Sequence, residues 1–292
     1  MPRGRLIWIR AESYVHVGVG QQASVVDLPF AREGATGYPY LPGSGLKGGL
    51  RDAYWLGKDP ASSKATVTDS LFGKSDEAGK ILFSDARLAF LPVRTLGGTY
   101  RYVTSVGLLR RLRRDMDFVG ETWTVPGADV TIGDDEVGVP TPTTSGKVFL
   151  EEFPFTTKGP IQGTGLTELG AARAEVDGRI AILNDAAFDY FARYGLFVRQ
   201  RNALDAMTKT VKGTALWSEE SLPPDTLMYF VLMPRLPDQM ADVDGDLLPV
   251  LRDSCRGYFQ AGGNETVGEG WFKMLNLPEL RAADAPILPP AA

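Results

Sequence analysis

Residues 14–54 read YVHVGVGQQASVVDLPFAREGATGYPYLPGSGLKGGLRDAY. An apolar strand, a Gly/Gln/Ser-rich turn, one acidic residue ahead of Leu-Pro, and a Gly-Ser-Gly-Leu-Lys-Gly-Gly helix entrance follow one another, a crowding that does not suit a simple core element. Pro42-Gly43 predicts a turn, Ser44 an N-cap, and beyond them Leu46, Leu50, Ala53 and Tyr54 recur at helical spacing. Lys47 and Arg51 stand four residues apart and so share one helix face. Free N–H groups at a helix start, small residues that permit close approach and two nearby cations suit a phosphate, and a sugar-phosphate backbone is its natural carrier. The competing reading assigns Gly43, Gly45, Gly48 and Gly49 only to a tight turn and close helix-sheet packing.

Two familiar phosphate motifs do not fit. A Walker A loop needs Gly, four residues, then Gly-Lys-Ser/Thr, a spacing this stretch lacks. Gly43, Gly45 and Gly48 match the letters of the dinucleotide fingerprint, but no acidic residue ends a strand about twenty positions on, and no alternating strand-helix units follow.

Outward from this stretch, residues 5–17 alternate as a strand, 44–56 form the first helix and 80–93 a second strand. The apolar run TLMYFVLM at 226–233 predicts a buried strand, 246–260 a helix stopped by Gly262-Gly263, and 266–274 a last strand. Strand-helix-strand-strand-helix-strand is the order of a ferredoxin-like, RNA-recognition-motif-type sheet, so the expected class is α+β. Between the second and third strands lies too much chain for a hairpin, which makes 96–225 an insertion of helices and loops within a single domain spanning 1–292. Within it, 125–146 reads as a loop and 186–194 as a helix.

Composition narrows the function classes. At 292 residues, with 43% hydrophobic and 23% charged, the chain can bury a sizeable core. No apolar run is long enough to span a bilayer, and MPRGRLIWIR turns polar too soon for a signal peptide, so a cytoplasmic protein without membrane partners is expected. A single cysteine, Cys255, and a single histidine, His16, exclude a disulfide framework and a Cys/His zinc site. Cys255 falls at helical spacing with Leu247, Leu251 and Tyr258, as a buried small residue would. A net charge of −5 argues against coating nucleic acid through bulk electrostatics and leaves room for a local basic track. LLRRLRRDM is one candidate: Leu108, Leu109, Leu112 and Met116 form an apolar stripe opposite Arg110, Arg111, Arg113 and Arg114, which suits either an RNA or acidic-subunit contact or a solvated face.

Six segments carry a family resemblance: HVGVGQ, VVDLPFARE, TGYPYLPGSGLKGGLR, LFG, DARLAFLPVRTLGGTYRYVTS and NETVGEGW. In this order they resemble the backbone subunit of type III-B CRISPR effector complexes, the Cmr member of the Cas-seven group within the RAMP superfamily. The resemblance implies a guide-RNA-binding subunit that stacks head to tail with further copies of itself, beside other subunits of the complex, and cleaves paired target RNA at regular intervals. It places the cleavage role on Asp27 and makes residues 197–217, FVRQRNALDAMTKTVKGTALW, a protruding β-hairpin thumb wedged into the guide-target duplex. The chain departs from the pattern at Gly45 and Gly49, where Ser and Ala are usual, after Gly18, where a Ser commonly follows, and at Glu269, where a basic residue is frequent.

The residues bear these roles on physical grounds as well. A carboxylate at Asp27, on a loop held by apolar neighbours, can hold a divalent cation such as Mg2+ or Mn2+ with phosphate oxygens and water completing the shell. The ribose 2′-hydroxyl is already an internal nucleophile, so positioning supplies much of the rate. Arg199, Arg201, Lys209 and Lys212 are expected to grip phosphates with Met207 as an apolar wedge, whose unstacking cost of a few kcal/mol such contacts offset. Ser44, Lys47 and Arg51 are the expected guide contacts, and Arg32 and Glu33 either orient the Asp27 loop or touch RNA. One histidine cannot supply both acid and base of a metal-independent ribonuclease, so His16 is expected as a structural or guide-contacting residue. A purely structural backbone subunit and a stand-alone guide-processing ribonuclease of the same superfamily are the alternatives.

Overall fold

Alternate residues of the first strand feed two different cores, because the sheet to which it belongs is covered on both faces. Ile7, Ile9 and Ala11 lie in one buried cluster and Leu6 and Trp8 in another. The computed structural model describes residues 4–20, 25–57, 64–121, 125–140, 146–161, 173, 176, 178–253 and 255–277. Its main elements are β1 (Arg5–Ala11), α1 (Gly43–Gly57), α2 (Lys64–Phe72), β2 (Ala86–Arg94), β3 (Tyr100–Ser105) and α3 (Val106–Val119). There follow β4 (Glu136–Gly138), β5 (Lys147–Leu150), β6 (Phe153–Lys158), β7 (Ile180–Leu183), α4 (Asp185–Tyr194), β8 (Phe197–Leu204) and β9 (Val211–Ser221). The chain ends in β10 (Leu227–Pro234), α5 (Leu248–Asp253), β11 (Tyr258–Gln260) and β12 (Trp271–Met274).

The main sheet runs β11-β12-β1-β10-β2-β3-β7-β4-β6-β5. Its β12-β1-β10-β2 portion, flanked by α1 and the α5 region, is the ferredoxin-like core expected from the sequence. β1 pairs antiparallel with β10, setting Ile7 opposite Phe230 and Trp8 opposite Tyr229, and antiparallel with β12, setting Ile9 opposite Met274. β10 repeats the two-sided burial of β1, with Met228, Phe230 and Leu232 on one core and Leu227, Tyr229 and Val231 on the other. Such a continuous apolar run is what a strand covered on both faces requires.

Several boundaries differ from those expected. The first strand ends at Ala11, and beyond it only isolated bridges form, Val15 to Leu222 and Gly18 to Phe30. Ser84 and Asp85 divide the second strand into Ile81–Phe83 and β2. The helix expected at 246–260 is a π-helical turn, Val243–Leu247, running into α5. Gly257, at a φ of 77°, turns that chain into β11 instead of letting the helix continue. Residues 96–225 are more than helices and loops, since β3, β7, β4, β6 and β5 extend the main sheet. No described helix is long and apolar enough to cross a membrane.

The glycines of α1 divide by environment. A Cβ on Gly49 would lie 2.2 Å from the carbonyl oxygen of Gln260, so this glycine is where helix and β11 touch backbone to backbone. Gly48, by contrast, has nothing within 4 Å of such a Cβ. The helix starts at Gly43, which puts Ser44 inside the first turn; the Gly43 N–H is taken by Asp85 Oδ1 at 2.7 Å. Capping at this end therefore comes from a carboxylate of a neighbouring segment and not from Ser44.

Candidate nucleic-acid interface

β8 and β9 pair antiparallel from Phe197 opposite Ser221 to Leu204 opposite Val211, forming a two-stranded hairpin apart from the main sheet. Its tip closes through Asp205, whose Oδ1 accepts the N–H groups of Met207 and Thr208 at 3.0 and 2.9 Å. Lys209 adopts a left-handed φ of 57° there. Met207 is 91% exposed, and Leu204 and Leu216 are exposed on the arms. This is a protruding hairpin with an apolar tip, as expected for 197–217. Lys209 is exposed and pairs with no acid among the described residues, whereas the Lys212 side chain lies outside them.

The root of the hairpin is built differently from its tip. Residues 218–221, Ser-Glu-Glu-Ser, are all buried. Burial of two successive glutamates demands partners, and each has them. Glu219 accepts from Asn264 Nδ2 at 2.6 Å and lies 3.0 Å from Arg201 Nε. Glu269 takes Nη2 of both Arg199 and Arg201. Glu220 receives Arg32 Nη2 at 2.6 Å and the Phe30 N–H at 2.9 Å. Three guanidiniums thus face three carboxylates. Arg199 and Arg201, expected to grip phosphates, are neutralised at the root, where Arg199 also lies 4.6 Å over the Tyr14 ring. Glu269, the departure from the family pattern, is the acid that holds both.

Arg32 is likewise engaged by the protein. Beyond Glu220 it donates to the carbonyls of Gly37, Ala192 and Arg193 at 2.9, 2.7 and 3.1 Å, tying the Asp27 loop to the end of α4. Glu33 is held by Arg111 and by Thr36 at 2.7 Å, so both residues orient the loop. Arg113 makes a paired contact to Asp129 at 2.9 Å through both nitrogens, and Arg110 donates to the carbonyl of Ala128. Of the α3 arginines, Arg114 projects as an exposed cation with no partner among the described residues and Arg110 is exposed with only a carbonyl partner; the acids that neutralise Arg111 and Arg113 lie elsewhere in the sequence. The α3 stripe itself is buried as read, with Ser105 as N-cap and Gly120 as a left-handed C-cap.

Asp27 meets the hairpin root directly. Its Oδ2 accepts the Ser218 hydroxyl and the Ser218 N–H, both at 2.8 Å, while its own N–H donates to Ser218 Oγ at 2.9 Å. The N–H donor of Ser218, joined by its hydroxyl, holds the Asp27 carboxyl below the usual carboxylate range, so it is ionised at neutral pH. None of these bonds uses Oδ1. His16 is buried, its Nδ1 2.7 Å from the Glu220 carbonyl. A carbonyl only accepts, so Nδ1 carries the proton. Asp27, His16, Arg32, Arg199 and Arg201 therefore converge on the hairpin root.

Ser44, Lys47 and Arg51 belong to a second region. Lys47 and Arg51 line an open cavity of about 740 Å³ with Lys74, Ser75 and Arg235. Arg51 is paired with Asp69 at 2.6 Å and donates to the Gly73 carbonyl, while Lys47 has no ion pair among the described residues. Among the described residues no three His, Cys, Asp or Glu side chains converge as a metal cluster. Glu219 and Glu220 beside Asp27 are committed to arginines, which leaves Asp27 as the carboxylate there, among the described residues, that a cation could take. That fits a hard ion completed by phosphate and water oxygens. Cys255 donates to the Ala53 carbonyl at 3.0 Å, and burial pushes its thiol up, which is a packing role.

The sequence matches the RAMP superfamily over residues 8–273. It is 35% identical over 279 residues to the CRISPR system Cmr endoribonuclease Cmr4 of Pyrococcus furiosus, covering 89% of this chain and 90% of that protein. The chain belongs to the Cmr4 family of the RAMP superfamily. The CRISPR system CMR subunit Cmr4 of Saccharolobus solfataricus is a more distant Cmr4 relative, 24% identical over 294 residues, 90% of this chain and 93% of that one. Oligomeric Cmr4 from Pyrococcus furiosus superposes with a TM-score of 0.68 at 28% identity, covering 94% of this chain and 98% of that one. A subunit of the type III-B Cmr-beta complex bound to cognate target RNA shares the fold with a TM-score of 0.76 at 22% identity, covering 93% and 96%. The Cmr4 family and the α+β class with its ferredoxin-like core thus agree with the sequence reading. Sequence reasoning missed Ser218, Glu219, Glu220 and Asn264. The one available signal was an acidic pair inside an otherwise extended, hairpin-forming stretch.

Proposed function

We propose that this Cmr4-family chain is the guide-RNA-binding backbone subunit of a type III-B ribonucleoprotein, stacking head to tail along the guide and cleaving paired target RNA through Asp27. The observation that carries the reading is the anchored Asp27 carboxylate at the root of a hairpin whose tip offers exposed Met207 and Lys209. The similarity to a Cmr endoribonuclease and to an oligomeric Cmr4 supports both parts. Contacts of head-to-tail type generate open filaments, which suit a linear ligand and let its length set the copy number.

The chain's own residues supply positioning. Lys47, with Arg51 beside it, holds guide phosphates, while the Met207 tip separates neighbouring nucleotides of the duplex. Separation frees the backbone at that step, so the ribose 2′-hydroxyl can align with the adjacent phosphorus opposite the 5′-oxygen. The bond from that oxygen to phosphorus breaks as the 2′,3′-cyclic phosphate forms; the 5′-oxygen leaves as a hydroxyl and the 2′ proton passes to water. Asp27 is ionised and fixed beside the hairpin, and it would hold a divalent cation, Mg2+ or Mn2+, which when bound supplies positive charge to the phosphate under attack.

The test is a complex assembled with Asp27→Ala and a defined guide. Its mass, guide content and target binding should match the parent while cleavage is lost, and EDTA should stop the parent until Mg2+ or Mn2+ is restored. Parental cutting by the Asp27→Ala complex overturns the assignment of Asp27. Cutting by the parent that survives EDTA removes the metal from the scheme.

A further inference from the structure

We infer that Ser218 sets the orientation of the Asp27 carboxylate, so that the hairpin engaging the duplex also aims the group that acts on it. This rests on Asp27 acting as proposed above. The hydroxyl of Ser218 both donates to Asp27 Oδ2 and accepts the Asp27 N–H, which closes a ring around the aspartate's first side-chain torsion. The Ser218 N–H alone would leave the carboxylate able to pivot on one bond; with the hydroxyl it is held at both its backbone and its oxygen.

The surroundings fix the ring in turn. Leu28 N–H donates to the Ser218 carbonyl at 3.1 Å, and Glu220 N–H donates to the Leu28 carbonyl at 3.0 Å. The loop thus runs parallel to β9 at this point, through one isolated bridge between Leu28 and Glu219. Ser218 is buried and paired with Gln200 across the hairpin, and its neighbours Glu219 and Glu220 are anchored by Arg201 and Arg32. A carboxylate that must meet an external partner with one oxygen gains from having the other tied down, because less motion remains to be frozen in the reactive geometry. Ser218 is a positioning residue, and its effect should appear in turnover and not in binding.

The experiment compares Ser218→Ala, Ser218→Thr and Asp27→Asn in complexes assembled on the same guide. Ser218→Ala should retain particle mass, guide content and a KM for target within about twofold of the parent, while kcat falls about ten- to a hundredfold, as loss of hydrogen bonds to a charged group allows. Ser218→Thr keeps the hydroxyl and should recover most of that loss. An assembled Ser218→Ala complex with parental kcat overturns the inference, and so does a Thr variant as slow as the Ala variant. Failure of Ser218→Ala to assemble also counts against it, since that is a folding role. If Asp27→Asn is inactive while Ser218→Ala is parental, only the positioning role falls; if Asp27→Asn cuts like the parent, the reading beneath it falls as well.

Discussion

Arg32 Nη2 lies 2.6 Å from Glu220 Oε1, joining the loop that carries Asp27 to the strand that returns from the hairpin. Both side chains are largely withdrawn from water, and Arg32 satisfies three backbone carbonyls as well. Removing the guanidinium strands Glu220 and the terminal carbonyls of α4 together. Arg32→Ala should therefore lose about 2–4 kcal/mol of stability, near the lower part of the range for broken buried pairs because Arg32 keeps some solvent contact. Arg32→Lys keeps the charge but cannot span the same acceptors, and should recover less than half of that loss. Thermal melts of the isolated protein decide the matter: a change below about 0.5 kcal/mol in Arg32→Ala, the size of an ordinary surface substitution, would show the bonds to be dispensable.

Gly49 and Gly48 are adjacent in α1 and should respond oppositely to the same substitution. Helix propensity alone favours alanine by about 1 kcal/mol at either position. At Gly48 the added methyl meets nothing, so Gly48→Ala should stabilise by roughly that amount. At Gly49 it would press to 2.2 Å on the Gln260 carbonyl, so Gly49→Ala should destabilise by about 1–3 kcal/mol as α1 is pushed off β11. Equal shifts in the two denaturation midpoints would refute the backbone contact.

The part of the fold legible in the sequence is the part whose pattern is local. The unbroken apolar run TLMYFVLM and the helical spacing of the α3 stripe and of the apolar residues after Pro42 each fix an element from their own residues. The hairpin was legible through the family resemblance, which also puts Asp27 forward for the role proposed above. What the sequence concealed is pairing across long separations. Arg199 and Arg201 look like free cations because Glu269 stands far along the chain, and the α3 arginines look like a basic surface because Glu33 and Asp129 come from other segments. Ser218 carries no signal of its own. Its role exists only because the fold lays residues 27–30 along residues 218–220.

Glu33 predicts a pH dependence. Burial pushes its carboxyl up, but hydrogen bonds from Arg111 and Thr36 and the charges of Arg111 and Arg87 outweigh it, leaving a pKa below the ordinary glutamate value. A folded-state pKa below the unfolded one adds stability that is fully present above the unfolded value, about 4.3, and is lost as pH falls through the folded value. Glu33→Gln should thus lower the melting temperature at pH 7, and the gap from the parent should narrow as the pH is taken below about 4. A gap that stays constant across that window would mean that the Arg111 pairing contributes nothing through charge.

Met207 separates the hairpin's ligand role from its structural one. At 91% exposure its side chain contributes almost nothing to folding, so Met207→Ala should leave stability within about 0.5 kcal/mol of the parent. If the tip separates stacked nucleotides, the apolar wedge offsets an unstacking cost of a few kcal/mol, and its loss should slow target cleavage while guide content and particle mass stay unchanged. Met207→Leu preserves the apolar bulk and should cleave nearly as the parent does. Lys209, exposed beside it, would act on phosphate by charge, so Lys209→Ala should weaken target binding in a salt-dependent way that Met207→Ala does not share. Parental cleavage by Met207→Ala together with unaltered salt dependence in Lys209→Ala would place the tip away from the nucleic acid, leaving the apolar side chains of the hairpin without a ligand.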